Sequence, residues 1–364
     1  MRVALLTYST KPRGGVVHTL ALAEAMAARG TDVTVVTLGR GGDTTFFRPV
    51  DPRVLLHVVH FAARDGESVG DRIERSIDAL RAGFDARGFD IVHAEDCISA
   101  NAVESPIRTV HHLDSFTTQQ LVECHERAIV QPRALVCVSQ AVADEVRAGW
   151  GRSATVIPNG VDSATFEHAA SSEPDALAAR HRWRTELGRY VVAVGGIEPR
   201  KGAIELVEAF ATLAAEHPDV SLVFAGGETL FDYADYRRRF DETAARLGVV
   251  PIMLGVVDQA RLPALVAEAA AMGFLSTKEG FGLAALEALA ASTPVVAREL
   301  PVLREVFGET VRYGQDVPGF AAQLATALRG EHADPDSGRT LARSYSWEAA
   351  AASHLELYER LGPV

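Results

Sequence analysis

The sequence predicts an α/β protein of two domains, each built on a parallel β-sheet with crossover helices. Its 364 residues exceed the roughly 250–300 residues at which a single hydrophobic core stops growing. Strand-like apolar runs alternate with helical periodicity from Val3 onward, and the alternation restarts near Tyr190. We therefore expect an N-terminal domain over residues 1–168 and a second domain over residues 169–346.

Short apolar runs predict the strands, and apolar residues recurring every three to four positions predict the helices. In the first half these elements are strand 3–8, helix 17–29, strand 32–38, amphipathic helix 73–84 and strands 90–93, 108–111, 134–138 and 154–157. Pro158-Asn159-Gly160 is a turn signal that ends the last of these strands. Apolar density then falls, and the segment 169–175 is predicted to be a linker or a surface excursion.

The second half repeats the alternation. Its predicted elements are strand 190–194, helix 204–216, strands 220–225 and 252–254, helix 262–270, strand 273–275, helix 282–291, strand 294–297 and a last helix from Trp347 to Leu361. Gly195-Gly196 and Gly226-Gly227 directly follow two of the strands. This is the pattern of a nucleotide-binding sheet.

The composition argues against several classes of protein. With 36 Lys and Arg against 48 Asp and Glu, the net charge is −12, which argues against a general nucleic-acid binder. Three cysteines without CxxC spacing argue against a disulfide framework or a structural zinc site. The opening apolar run is too short for a signal peptide, and no uncharged stretch approaches the length of a membrane span. We expect a cytoplasmic protein, and peripheral membrane contact stays open.

Two carboxylates, Glu279 and Glu287, are the strongest candidates for chemistry. The run Glu279-Gly280-Phe281-Gly282-Leu283 opens a predicted helix, whose first backbone N–H groups and positive end favour a bound anion. A diphosphate bound there needs no metal to offset its charge. Glu287 lies inside the same helix, where a carboxylate suits the hydroxyls of a ribose.

Basic residues follow the first strand of the second half. Gly196, Arg200 and Lys201 lie in the loop after strand 190–194. A Lys or Arg in such a loop would neutralise a leaving phosphate. Alone, this pattern is equally typical of an ordinary surface loop.

Two further features follow strands of the first half. Gly14 and Gly15 lie in a predicted loop, 12–15, between the first strand and the first helix, and glycine permits close approach of backbone to a ligand. They do not form a GxGxxG fingerprint. His111 ends a strand, where side chains of a parallel sheet face the ligand crevice, although a structural histidine is the alternative. A metal site would need further ligands at suitable spacing, and the sequence around His111 offers none.

In their order along the chain, these features resemble a retaining GT-B glycosyltransferase of family 4, the glycosyl transferases group 1. The shared features are the Gly14-Gly15 loop, the turn from Ile157 to Asp162, the Lys201-Gly202 loop, the Glu279-to-Glu287 segment and the ending Ser346-Trp347-Glu348. The resemblance covers nearly the whole chain and leaves the acceptor open. The opening run Thr7 to His18 is similar to a bacterial subgroup of the family.

The resemblance implies a GT-B fold: two Rossmann-like domains, a deep interdomain cleft, and a C-terminal helix, about 347–364, that packs on the first domain. It implies a hexosyltransferase that uses a UDP-, GDP- or ADP-sugar, with no cofactor or metal and with a small-molecule, glycan or lipid acceptor. The implied catalytic residues are Glu279, His111 and Lys201. The implied donor-binding residues are Gly14, Gly15, Gly196, Arg200, Lys201, Gly280, Phe281, Gly282, Leu283 and Glu287.

One position departs from the family pattern. The family commonly has an Arg five residues before the Lys, and here that position is Gly196, which leaves Arg200 as a candidate substitute. This departure leaves a non-catalytic sugar-nucleotide-binding protein open as a rival function. A second rival is a different GT-B enzyme, a sugar-nucleotide epimerase.

Overall fold

Parallel strands form the centre of both halves of the chain. The computed structural model describes residues 1–114, 116, 118–227, 233–331 and 334–363. Within them the chain divides into two compact units, one of residues 1–160 with the segment from Tyr345 onward, the other of residues 161–344. Each unit contains one parallel sheet flanked by helices.

The first unit holds a seven-stranded sheet in the order β3-β2-β1-β4-β5-β6-β7. Its strands are β1 (Arg2–Leu6), β2 (Asp32–Arg40), β3 (Leu55–Phe61), β4 (Ile91–Ala94), β5 (Ile107–Val110), β6 (Ala134–Cys137) and β7 (Thr155–Val156). Its helices are α1 (Gly14–Ala28), α2 (Val69–Gly83), α3 (Cys97–Ala102), α4 (Gln119–Val130), α5 (Gln140–Trp150) and, at the end of the chain, α15 (Trp347–Leu361), with a 3₁₀ turn at Ala86–Gly88.

The second unit holds a six-stranded sheet in the order β10-β9-β8-β11-β12-β13. Its strands are β8 (Arg189–Val194), β9 (Val220–Ala225), β10 (Ile252–Gly255), β11 (Ala271–Phe274), β12 (Val295–Arg298) and β13 (Arg312–Gly314). Its helices are α6 (Ser163–Ala170), α7 (Pro174–Leu187), α8 (Ala203–Leu213), α9 (Ala234–Leu247), α10 (Leu262–Glu268), α11 (Leu283–Ala290), α12 (Pro301–Phe307), α13 (Val317–Leu328) and α14 (Pro335–Ser344), with a 3₁₀ turn at Pro199–Lys201.

Continuous burial explains the strands. In β1 the residues from Val3 to Leu6 are all 0% exposed, as expected for a central strand with helices on both faces. The register joins Val3 to Val33 of β2 on one side and to Ile91 of β4 on the other. Side-chain caps fix several helix starts, such as Ser68, which accepts from the N–H of Asp71 and sets the beginning of α2 ahead of the predicted residue 73.

The boundary between the units lies earlier than residue 168. Helix α6 packs on α10, α11 and α14, so it belongs to the second unit. The segment 169–175, predicted to be a linker or a surface excursion, is not a linker, because α6 extends to Ala170 and α7 begins at Pro174. Residues 172–175 are exposed, which agrees with a surface excursion. Helix α7 buries few side chains, among them Trp183 at 4% exposure, which explains the low apolar density of this stretch.

The last helix, α15, packs against α1 of the first unit. Ala351, His354 and Tyr358 are buried along its inner face. Tyr358 forms a hydrogen bond of 2.6 Å with His93 Nδ1 of β4, through the phenolic oxygen. The helix ends at Leu361, and residue 364, the end of the predicted range, lies outside the described residues.

Strand order places the loops that carry the candidate residues. Each sheet reverses its direction of growth at one point, between β1 and β4 in the first unit and between β8 and β11 in the second. At such a switch point the loops leaving the carboxyl ends of two adjacent strands diverge and open a crevice for a ligand.

Candidate functional site

The loops after β8 and β11 meet in the second unit. Lys201 Nζ donates a hydrogen bond of 2.9 Å to Glu279 Oε2, joining two residues that the sequence analysis selected independently. The Nη1 atom of Arg200 lies 3.9 Å from the same carboxylate oxygen, and its Nε lies 3.3 Å from Glu198 Oε2. The side chain of Arg200 therefore points toward the Lys201–Glu279 pair.

Gly202 allows these two loops to approach. It has φ +66°, and a Cβ built there would lie 2.2 Å from the carbonyl oxygen of Leu275, so glycine is required. The N–H of Thr277 donates to the carbonyl of Arg200 at 2.8 Å and ties the loops a second time. The backbone of both loops is thus fixed, and the Lys201–Glu279 pair is supported by rigid elements.

The carboxylate of Glu279 is partly buried and well supported. Besides Lys201 it accepts a hydrogen bond of 3.2 Å from Ser276 Oγ. A small cavity beside it is lined by Gly195, Gly196 and Lys201 along with Phe274 and Ser276. Gly196, predicted to bind the donor, therefore lines the same cavity as Lys201.

Helix α11 presents an uncapped N-terminus next to this cluster. Its N-cap residue is Gly282, with φ +101° and no side-chain cap, and a Cβ there would lie 2.7 Å from Phe307 Cζ. In the first turn the N–H of Ala285 donates to the carbonyl of Gly282, whereas the N–H of Leu283 makes no hydrogen bond within the described residues and can bind an anion. The side chain of Phe281 is only 3% exposed, which restricts that residue to a packing role or a backbone contact.

Glu287 lies on α11, one turn from its start, and is half-buried. Burial, and secondarily the charge of Asp162, raises its pKa to about 8. Within the described part of the chain, no hydrogen-bond donor contacts its carboxylate. Such a group is suited to accept hydrogen bonds from ligand hydroxyls.

In the first unit, Gly14 and Gly15 begin α1 instead of lying in a loop. The loop predicted over residues 12–15 is therefore too long, because its last two residues, both glycines, are helical. Neither glycine has a positive φ. What Gly15 provides is close packing, because a Cβ there would lie 3.5 Å from His111 Cδ2 and Nε2. Arg13, the N-cap residue, makes no side-chain cap, so this helix end also presents N–H groups.

His111 follows β5, as the sequence analysis expected, and its ring is largely buried. Its Nε2 lies 3.2 Å from Glu95 Oε2, and its ring centroid lies 4.7 Å from that of His18. Burial, with the neighbouring His112 and Arg108, lowers the pKa of His111 to about 3. The imidazole is therefore neutral near pH 7.

Two neighbours of His111 were missed by the sequence analysis. His18 lies on α1 and Glu95 follows β4, and both are buried. The nitrogen and oxygen atoms of the two histidines and the carboxylate lie within 4.8 Å of one another. The residues adjacent to His111 in the sequence gave no sign of this cluster. His111 was selected because it lies at the carboxyl end of a buried strand. Glu95 also directly follows a buried strand beside the switch point, so the same criterion could have selected it.

The two parallel sheets define a GT-B fold, and comparisons with solved structures agree. HepE of Anabaena, solved with UDP and glucose, matches 98% of this chain and 99% of its own with a TM-score of 0.75 at 19% identity. Sucrose-phosphate synthase of Thermosynechococcus elongatus matches 99% of both chains with a TM-score of 0.77 at 21% identity. The predicted fold class is confirmed.

The chain belongs to the group 1 glycosyltransferases. The model "Glycosyl transferases group 1" matches residues 180–334, and "Glycosyltransferase Family 4" matches residues 12–165. A phosphatidyl-myo-inositol mannosyltransferase of Mycolicibacterium smegmatis is 28% identical over 99% of this chain and 94% of its own length. A glycogen synthase of Mycobacterium tuberculosis is 27% identical over 98% and 94%. The predicted family and the assignment as a glycosyltransferase are therefore confirmed.

No helix in the described ranges is long and apolar enough to cross a bilayer.

Proposed function

We propose that the protein transfers a hexose from a nucleoside-diphosphate sugar to an acceptor hydroxyl and retains the anomeric configuration. The observation that carries this proposal is the Lys201–Glu279 pair with Arg200, placed beside the uncapped start of α11. Two basic side chains next to N–H groups at the start of a helix are an arrangement that stabilises a departing diphosphate.

Each residue of the cluster has a distinct role in this proposal. Lys201 and Arg200 neutralise the charge that develops on the leaving diphosphate, and the amides of Gly282 and Leu283 bind its oxygens. Glu279 holds Lys201 in position and contacts the transferred sugar. Glu287 accepts hydrogen bonds from the ribose hydroxyls. Diphosphate neutralisation in this scheme requires no metal.

Retention is proposed to proceed by front-face departure. A retaining glycosidase places two carboxyl groups about 5–5.5 Å apart, one of them nucleophilic. Here the carboxylate assigned to the sugar, Glu279, is paired with Lys201. The leaving phosphate would instead accept the proton of the acceptor hydroxyl while the new bond forms on the same face. His111, neutral at pH 7, would donate or accept a hydrogen bond at the reacting sugar.

The comparisons support donor and acceptor classes. A structural neighbour binds UDP and UDP-glucose, which supports a nucleoside-diphosphate sugar as donor here, and UDP-, GDP- and ADP-sugars are the candidates. The phosphatidyl-myo-inositol mannosyltransferases among the relatives favour including a lipid among the candidate acceptors, beside glycans and small molecules. Contact with a membrane surface would follow if the acceptor is a lipid.

A two-stage experiment tests the proposal. Thermal unfolding with UDP, GDP, ADP and TDP identifies the base, because a ligand that binds only the folded state raises Tm. The matching nucleotide sugars are then incubated with phosphatidylinositol vesicles, oligosaccharides and polyols, and NMR of the new linkage reads its anomeric configuration. We expect a product with the configuration of the donor.

Other outcomes would overturn the proposal. An inverted linkage would refute the front-face mechanism. Steady formation of an epimeric nucleotide sugar without acceptor would support the epimerase. Tight donor binding with no turnover across the acceptor panel would support a non-catalytic binding protein.

A further inference from the structure

Two arginines of the first unit lie over the same aromatic ring. Arg13 is the N-cap residue of α1, Arg40 is the last residue of β2, and Tyr8 follows β1. The Cζ atom of Arg13 lies 5.9 Å from the centroid of the Tyr8 ring, and that of Arg40 lies 5.5 Å from it. Because β1 and β2 are parallel neighbours, the residues that follow or end them meet at the carboxyl edge of the sheet, where ligands bind.

The guanidinium of Arg40 is held in position. Its Nη2 atom donates a hydrogen bond of 3.1 Å to Ser76 Oγ of α2, and its Cζ atom also lies 5.3 Å from the ring centroid of Phe61. Ser76 and Phe61 are 0% and 3% exposed. A guanidinium that contacts a buried hydroxyl and two aromatic rings has little rotational freedom, so its other N–H donors are pre-organised for a ligand.

Neither arginine is neutralised by an acid. Across the described ranges no carboxylate lies within ion-pair distance of Arg13 or Arg40, although both side chains are half-buried. The Nε atoms of both are buried and have no hydrogen-bond partner in the described chain. Lys11 of the same loop is different, because its Nζ atom pairs with Asp43 at 2.9 Å.

Two ionisable oxygen groups beside the arginines do not supply the missing charge. The carboxylate of Asp96 accepts backbone hydrogen bonds, that of Tyr8 at 3.0 Å among them. Burial raises the pKa of Tyr8 to about 12, so its phenol is neutral at pH 7. Burial lowers the pKa of Arg40 to about 10, and the charges of Arg72 and Arg13 act in the same direction. Two desolvated cations thus lie close together, and a bound anion would offset the cost in free energy.

The position of the two arginines fits a substituent of the acceptor. Gly15, two residues after Arg13, packs against His111, which the proposed function places at the reacting sugar. The diphosphate of the donor is assigned to Lys201 and Arg200 of the second unit. An anion bound in the first unit beside His111 is therefore a second anion, distinct from the leaving group.

We infer that Arg13 and Arg40 bind a phosphate group carried by the acceptor. The inference rests on the proposed function, because it names the chemical class of the acceptor in that reaction. A phosphate presents several oxygens and can accept hydrogen bonds from two guanidinium groups at once. The same phosphate chemistry occurs in a lipid headgroup and in a soluble phosphate ester, so both sources enter the test.

The first measurement is phosphate binding by the full-length protein. Inorganic phosphate is titrated calorimetrically while the nucleoside diphosphate selected by the thermal screen saturates the donor site. We expect saturable binding by the wild type and a loss of affinity of roughly 10–100-fold in Arg13→Gln and in Arg40→Gln. Lys11→Gln is the matched control, since it removes a nearby charge that Asp43 already neutralises, and it should bind like the wild type.

The second measurement identifies the source of the phosphate. Transfer from the nucleotide sugar is assayed with glucose 6-phosphate against glucose, and with phosphatidylinositol vesicles against diacylglycerol in phosphatidylcholine vesicles. We expect turnover of the phosphorylated member of one pair only, and the pair that responds separates a soluble ester from a lipid headgroup. The KM for that acceptor should rise roughly 10–100-fold in Arg13→Gln.

Failure of the inference and failure of the proposed function give different results. Lys201→Ala should lose nucleoside-diphosphate affinity and keep the phosphate site, whereas Arg13→Gln and Arg40→Gln should do the reverse. If no nucleoside diphosphate binds the wild type, the proposed function fails, and phosphate binding is then measured without nucleotide.

Several results would overturn the inference. It fails if the wild type does not bind inorganic phosphate, or if Arg13→Gln and Arg40→Gln bind it as well as the wild type does. Equal loss in Lys11→Gln would show a general effect of charge, and equal transfer to the unphosphorylated acceptors would show that the anion is not part of the acceptor. Melting curves without phosphate show whether Arg40→Gln is folded, and Arg13→Gln decides the matter if it is not.

Discussion

The two units place different chemistry at the same point of the same topology. In the second unit the switch point carries a partly exposed ion pair, Lys201–Glu279, with Arg200 beside it. In the first unit it carries a buried cluster centred on His111, with Glu95 and His18 around it. The fold thus supplies a location, and the loop residues decide whether an ion pair or a neutral imidazole lies there.

This contrast predicts that the second unit controls catalysis by charge. Lys201→Ala should lower kcat/KM roughly 10²–10³-fold, as expected for loss of one group that stabilises developing charge. The variant should also lose some stability, because the pair is largely buried, although Arg200 and Ser276 still contact Glu279 and limit that loss. Steady-state kinetics and thermal melts measure both.

Arg238→Ala is the matched control for that variant. Arg238 pairs with Asp235 at 2.9 Å, the same distance as Lys201 to Glu279, but on the exposed face of α9. Its loss should leave turnover unchanged. Equal activity loss in both variants would show that the Lys201 effect is not specific to the site.

The backbone joining the two loops of the second unit should matter next. Gly202→Ala forces a Cβ against the carbonyl of Leu275 at positive φ, so it should destabilise the protein by about 1–3 kcal/mol or more and also lower activity. Gly248→Ala is its counterpart, because Gly248 has φ +68° but open space around it. Chemical denaturation should show the smaller loss for Gly248→Ala, and equal losses would contradict the steric argument.

In the first unit we expect a positioning effect. Glu95→Gln should lower kcat roughly tenfold with the KM for donor unchanged, because Glu95 contacts His111 and no donor-binding residue of its own unit. A general structural defect would instead lower the fraction of active enzyme together with Tm. A rise in KM with kcat intact would contradict the role assigned to Glu95.

The smallest effect should be a pH dependence from Glu287. Its pKa of about 8 lies above the ordinary value of 4.5, so the folded state favours the neutral acid. Stability linked to this group is complete below about pH 4.5 and is lost as pH rises toward 8. Glu287→Gln should therefore raise the Tm of the ligand-free protein more at pH 8 than at pH 5.

Nucleotide affinity should show the opposite trend. The ionised carboxylate accepts hydrogen bonds from ribose hydroxyls better than the neutral acid does, so affinity in the wild type should rise a few-fold from pH 6 to 8. Calorimetric titration of the wild type and of Glu287→Gln at both pH values tests this. A parallel pH dependence in the variant would assign the trend to another group.

Much of the molecule follows from sequence alone. Continuous apolar runs such as Val3–Leu6 require strands buried on both faces, and their alternation with helices requires parallel sheets. Glycines and basic residues directly after strands identified Lys201, Gly196 and the start of α11, because the carboxyl edge of a parallel sheet is where ligands bind. The sequence was least informative where few side chains are buried, as in α7.

Tertiary structure decided which of these residues meet. Lys201 and Glu279 pair because β8 and β11 are neighbours at a switch point, an adjacency that depends on strand order. His18, Glu95 and His111 come from three elements separated along the chain, so no local spacing reveals them. Residue type and local pattern are properties of the sequence. Strand order and packing are properties of the tertiary structure, and they bring atoms that are distant along this chain within about 3–4 Å of one another in both clusters.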